Sequence, residues 1–317
     1  MSTLVRCPKC ECGFEIEDRE LGNAVRCRNC NGLFLAIDAE PASVPEKSEG
    51  AVSGSEFGAE IPENLLPVNL VDVDAGSFMQ GSVSGGLFER PPRRTRITYN
   101  YQISRNEVSQ REYYRTMGSN PSYFRGDDLP VETVSWHEAM DFCRKLTRIA
   151  RLRGHLPDDK VYRLPTETEW EYACRTSAAH SGDGEVYQSL PDYWWGDDPA
   201  GLDGYGWYAD NSDGRTHPVG MKEANPRGLR DMTGNVSEWC LDWFAPYDGK
   251  EVSDPRGPAR GTRKVRRGGS WGSIAWRCRA TDRLGVAPDC RSALLGFRVV
   301  VGPRTGSELP DIKELKV

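Results

Sequence analysis

Two Cys-x-x-Cys pairs near the start of the chain limit what its first segment can fold into. Cys7-Pro-Lys-Cys10 and Cys27-Arg-Asn-Cys30 are separated by sixteen residues. Four thiolates at this spacing suit tetrahedral zinc, each pair sitting on a tight knuckle. A segment this short buries too little apolar surface to fold unaided, and a metal supplies the missing stability. The stretch between the pairs, GFEIEDRELGNAVR, alternates enough to predict a short hairpin. Two disulfides or a redox pair are the competing uses of these cysteines, and Cys12 is left over as a spare thiol.

The opening MSTLVRCPKC has neither the apolar stretch nor the cleavage pattern of a secretory leader. No run reaches the roughly 18 apolar residues that a membrane span needs. We therefore expect a cytoplasmic protein with no membrane partner, where thiols stay reduced and the ten cysteines need roles other than disulfides. Net charge is −6, so nothing global points to nucleic acid. In the ribbon, Arg6, Lys9, Arg26 and Arg28 are offset by Glu11, Glu15, Glu17, Asp18 and Glu20, which makes nucleic acid a secondary candidate partner there.

Composition divides the rest. We assign residues 1–38 to the zinc ribbon and 39–62, rich in Pro, Ser, Gly and Glu, to a flexible linker. Residues 63–305 form the large domain and 306–317 a loose tail. In the large domain, three capping boxes predict three helix starts. They are Ser109 with Glu112, Ser135 with Glu138, and Thr166 with Glu169. Gly118 is placed to end the first helix, and Trp136, Met140, Cys143, Leu146 and Ile149/Ala150 mark the buried face of the second. The stretches FMQGS, TRITYNYQISR, THPVG, KVRRGGSW and LGFRVVV read as strands between Gly- and Pro-rich turns. This pattern predicts a compact, loop-rich α+β domain.

Eight motifs follow one another over about 63–303: SFMQGS, ISRNEVSQREYYRTMGSNPS, PVETVSW, YRLPTETEWEYACR, HPVG, NPRGLRDMTGNVSEWCLDWF, RRGGSW and GFRVV. Their order and density resemble the formylglycine-generating, sulfatase-modifying family, and the resemblance implies a C-type-lectin-like fold. It also implies a structural calcium site, with carboxylates from Asp231 and Glu238 and backbone carbonyls from Gly234 and Val236. A hard oxygen set of that kind suits calcium. The alternative use of this stretch is a plain turn with capping carboxylates.

The family's oxidase chemistry is implied to need two cysteines, at the third and eighth positions after the GGS serine, as ligands for copper(I). Here GGS ends at Ser270, so an ungapped count places Ser273 and Cys278 at those positions. A second alignment matches Arg277-Cys278 to a structural Arg-Cys pair of the family and predicts that Cys278 lies beside Cys174. We prefer the second. Under either alignment the two-thiol site is incomplete, because a serine hydroxyl neither binds copper(I) nor carries redox chemistry. Copper is accordingly not expected.

The leading functional reading is a non-catalytic binding or scaffold module for a protein or peptide ligand. Its face would be built from Trp271–Trp276 and Arg279–Arg291, with Trp276, Arg279 and Arg283 as contact residues, since Trp and Arg are frequent interface anchors. The alternatives are a protein-cysteine oxidase with an unusual thiol set and a receptor with a diversified C-terminal loop.

Overall fold

The structure is a computed structural model that describes residues 69–176 and 190–305, together with four strands near the start of the chain. The chain divides into two compact units, Met1–Leu65 and Leu66–Val317.

In the first unit, β1 (Ser2–Arg6) pairs antiparallel with β2 (Gly13–Glu17), and β3 (Ala24–Arg26) with β4 (Leu33–Leu35). This differs from the expected hairpin between the two Cys-x-x-Cys pairs. The strands on either side of each pair join instead, so that each pair falls in the connection between partners. The register sets Val5 opposite Phe14 and Val25 opposite Phe34. Cys7, Cys10, Cys27 and Cys30 lie outside the described residues.

The second unit mixes helices and sheets, as the patterning predicts. It opens with β5 (Leu70–Val73), β6 (Gly76–Gln80), β7 (Arg93–Ile97) and β8 (Tyr101–Ser104). The stretch expected as one strand, TRITYNYQISR, is therefore two, β7 and β8. Helices α1 (Gln110–Met117) and α2 (Trp136–Leu152) follow, then β9 (Lys160–Arg163) and α3 (Glu167–Arg175). All three capping boxes form, with serine or threonine accepting from the third helical amide and glutamate reaching back. Gly118 ends α1 in the left-handed conformation at φ 80°.

The remainder is the short helix α4 (Leu202–Tyr205) and small strands. These are β10 (Gly206–Trp207), β11 (Thr233–Gly234), β12 (Ser237–Trp243), β13 (Val252–Ser253), β14 (Lys264–Arg267), β15 (Arg283–Val286), β16 (Leu295–Gly296) and β17 (Val300–Pro303). THPVG forms no strand. Its His217 amide is taken by the side chain of Asn235 rather than by a neighbouring strand.

Two four-stranded sheets, β5-β8-β17-β9 and β15-β14-β12-β16, and the three-stranded β13-β7-β6 surround α3. Every residue of α3 is buried, so its glutamates cannot reach water and must find partners inside. Glu169 makes a two-pronged ion pair with Arg163 of β9, at 2.6 and 2.7 Å. Glu167 does the same with Arg283 of β15, at 2.5 and 2.6 Å. Glu171 bonds Arg267 of β14 at 2.6 Å and Arg175 at 2.8 Å. The apolar faces meet the same helix: Trp170, Tyr172, Ala173 and Cys174 join Phe78, Ile103, Cys240, Val265 and Val300 in one cluster. No helix among the described residues is long and apolar enough to cross a membrane.

One carboxylate beside α3 has no arginine partner among the described residues. Asp242 of β12 accepts from the Glu167 amide at 2.8 Å, and burial followed by the charge of Glu167 pushes it up to about 7. In the unfolded chain an aspartate titrates near 4, so the native state holds an extra proton between those values. The stability Asp242 contributes is fully present below about pH 4 and is lost as the pH rises to about 7. Asp242→Asn keeps the acceptor and cannot ionise. The variant should match the parent in urea unfolding at pH 4 and exceed it at pH 8 by on the order of 4 kcal/mol.

Candidate functional site

The loop after β14 turns back on itself because Gly268 and Gly269 adopt φ of 94° and 70°. A Cβ at Gly269 would lie 2.6 Å from the Cys278 sulfur, so only glycine lets the two ends of the loop close. Ser270 and Ser273 share hydroxyls at 3.0 Å inside this turn, and the Ser270 amide donates to the Ser273 hydroxyl. Ser273 is thus buried and occupied by its neighbour.

Cys278, at 0% exposure, sits in a small cluster with Leu202 and Tyr208. Burial first, then the charge of Asp282, pushes its thiol up to about 12. Cys174 belongs to the separate cluster around α3, and burial pushes it up to about 12 as well. Both are free thiols, so the pair expected from the resemblance is not bonded here, and each thiol packs in its own cluster.

Two of the three expected contact residues are structural. Arg279 is 2% exposed and clamps Glu89 at 2.7 and 2.8 Å. Burial alone would raise Glu89, but Arg279 holds it below the usual carboxylate range. Arg283, also 2% exposed, is committed to Glu167 and to the carbonyls of Phe88 and Ala245. Burial would likewise raise Glu167, yet Arg283 and Arg267 hold it at about 2. The sequence could not reveal the carboxylates from distant segments that face these arginines.

Trp276 is the expected residue that does reach solvent, at 44% exposure. Its ring covers the Arg279 guanidinium at 3.9 Å and lies against Gly86. The Glu89–Arg279 clamp thereby draws the short turns Leu87–Glu89 and Ala275–Cys278 together. Leu87 (83% exposed), Phe88, Val83, Ile274 and Trp276 are the exposed large apolar residues of these two joined loops, an apolar ledge beside the clamp. The loop 83–88 escaped the sequence reading. The available signal was SGGLF, large apolar residues in a glycine-rich turn where polar residues are usual.

The expected calcium residues fall in a buried charge cluster. Glu238 gives both oxygens to Arg298 at 2.7 Å and accepts from Trp170 Nε1 at 2.7 Å. Asp231 accepts the Gly220 amide through one oxygen, while its other oxygen is buried without a partner. Glu107 accepts from the Val236 amide and the Asn235 side chain, an acceptor the sequence reading missed. Burial raises Glu107 well above its ordinary value and Asp231 to about 6, with neighbouring carboxylates adding to both. Three buried carboxylates thus face one guanidinium, and the open Asp231 oxygen suits a cation. Glu238 would have to share oxygens already used by Arg298. Among the described residues no group of three or more His, Cys, Asp or Glu side chains is gathered as a ready metal cage.

Residues 60–303 match the family described as the sulfatase-modifying factor enzyme 1-like domain. The chain belongs to that family. It is similar to the chaperone protein LppX of Paenibacillus barcinonensis, at 32% identity over 79% of this chain and 95% of that protein. It is also similar to the formylglycine-generating enzyme of Streptomyces coelicolor, at 37% identity over 53% of this chain, spanning only 51% of the enzyme. Among solved structures, Treponema denticola variable protein 1 superposes with a TM-score of 0.64 at 30% identity, covering 74% of this chain and 95% of the other.

The exposures separate two kinds of residue by experiment. Arg279→Ala leaves Glu89 buried without its cation and should cost about 3–5 kcal/mol in urea unfolding. Trp276→Ala removes a half-exposed ring and its contact with the guanidinium, and should cost no more than about 1 kcal/mol.

Proposed function

We propose that this family member is a binding module that docks a protein or peptide, without the two-thiol oxidase chemistry. The observation that carries the reading is the state of the loop after β14. Its sole cysteine, Cys278, is fully buried, and the thiolate is the form that binds metal and attacks a substrate. Ser273, which the ungapped count sets at the first thiol position, is bonded to Ser270. These residues do not fit a two-thiolate copper site. The exposed ledge beside them, centred on Leu87, Phe88 and Trp276, offers instead the apolar surface that marks interaction sites. The similarity to a protein named as a chaperone, over nearly all of that protein's length, supports a role in engaging another polypeptide.

Incubation with a Cys-x-Pro-x-Arg peptide, copper and oxygen should leave the peptide mass unchanged. Loss of the thiol with gain of an aldehyde would overturn the non-catalytic reading.

Two metals accompany the proposal. Cys7, Cys10, Cys27 and Cys30 hold a structural zinc. Asp231, the carbonyls of Gly234 and Val236, and a shared oxygen of Glu238 hold calcium, which would neutralise the surplus carboxylate charge of the cluster. Metal analysis should find zinc in the parent and not in Cys27→Ser. Calcium at about a hundred times its dissociation constant should stabilise the parent by about 2.7 kcal/mol, and leave Asp231→Asn unmoved in a thermal melt. A zinc-free parent, or a calcium response that survives in Asp231→Asn, would remove the corresponding site.

A further inference from the structure

The ledge carries a charge as well as an apolar surface. The two loops that form it, 81–90 and 270–279, contain three arginines, Arg90, Arg277 and Arg279, against one carboxylate, Glu89. Glu89 and Arg279 are buried and neutralise each other beneath Trp276. Two further carboxylates, Asp282 (9% exposed) and Asp192 (20%), pair with Arg277 and Arg279, so the most exposed charges beside the ledge are the guanidiniums of Arg90 and Arg277. Arg90 is exposed and donates to the carbonyls of Gly85 and Ser84, with no carboxylate partner among the described residues. Arg277 leans on the nearly buried Asp282 at 3.0 Å, yet about half of its side chain stays exposed and its guanidinium lies 5.2 Å from the Trp276 ring. Asp192, which borders the ledge through Ser82, is turned toward Arg279 at 3.6 Å. A local positive rim thus flanks an exposed apolar strip in a chain whose net charge is −6.

We infer that the partner of this ledge is a polypeptide segment in which large apolar side chains are flanked by Asp or Glu. The inference rests on the docking reading above and adds the chemistry of the occupant. Leu87, Phe88, Ile274 and Trp276 receive the apolar side chains, and these supply most of the affinity. Arg90 and Arg277 select the flanking charge, because like charges set across an interface disfavour the wrong partner and opposite charges raise the encounter rate. An arginine-bearing segment meets the same rim with repulsion.

The test is to pan a random peptide display library on the full chain at low ionic strength, and in parallel on Leu87→Asp and Arg90→Glu. Both residues are exposed, and circular dichroism confirms that each variant is folded. The expected result is enrichment of sequences pairing aromatic or aliphatic residues with Asp or Glu, lost on Leu87→Asp. For an enriched peptide, the parent should bind about three- to tenfold more tightly than Arg90→Glu, a gap that shrinks as salt is added. Enrichment of Arg- or Lys-bearing sequences that still depends on Leu87 would overturn the charge assignment and leave the docking surface standing. Enrichment indifferent to Leu87, or none at all, would overturn the docking reading itself.

Discussion

The burial of α3 is the constraint on which the rest of the domain depends. A helix with glutamates at alternate positions presents charge on all sides, so it can enter an interior only if every side meets a cation. Two of the sheets supply those cations: Arg163 from β9 of one, and Arg267 and Arg283 from the neighbouring strands β14 and β15 of the other. Each pair is dry, and removing one member would strand the other, which is far costlier than losing a surface ion pair. The helix therefore fixes how the sheets are placed around it. It does so by directional bonds to guanidiniums as well as by the apolar contacts of Trp170 and Tyr172.

The same device sets the loops of the proposed docking face. Arg283 holds Glu167 with one edge and reaches the Phe88 carbonyl with another, so the ledge is tied to the central helix by a single side chain. Arg279 repeats the arrangement one step outward, holding Glu89 and supporting Trp276. Two short turns with little secondary structure of their own are held in place by buried charge. What they present to solvent is the apolar remainder, Leu87, Phe88 and Trp276, with Arg90 and Arg277 at the rim. Family membership gives this frame without dictating its chemistry, since one fold supports many functions and the site decides among them.

Local chemistry was the most legible part. The three helix starts follow from side chains reaching amides three residues away, and Gly118 follows from the left-handed turn that only glycine adopts cheaply. The apolar spacing of α2 likewise identified Trp136, Met140, Cys143, Leu146 and Ala150, all buried. Reading went wrong where a partner lies far away in sequence. Arg279 and Arg283 looked like exposed anchors because nothing nearby pairs with them; their carboxylates stand 190 and 116 residues earlier. Cys174 and Cys278 looked like neighbours by motif and pack in separate clusters. The strands of the first unit pair across the Cys-x-x-Cys segments rather than between them, a choice of partner that alternation alone does not specify.

The sequence by itself determined the family frame, the capped helices and the serine, rather than a cysteine, three residues after Ser270. Each of these depends on residue identity or on contacts within a few positions. Only the tertiary structure decided that Cys278 is closed off, that Arg279 and Arg283 are pillars rather than contacts, and that Leu87 and Phe88 join Trp276 on one surface. These depend on which distant groups share a buried site. The cost of burying an unpaired charge is what forces that sharing, and no local pattern records it.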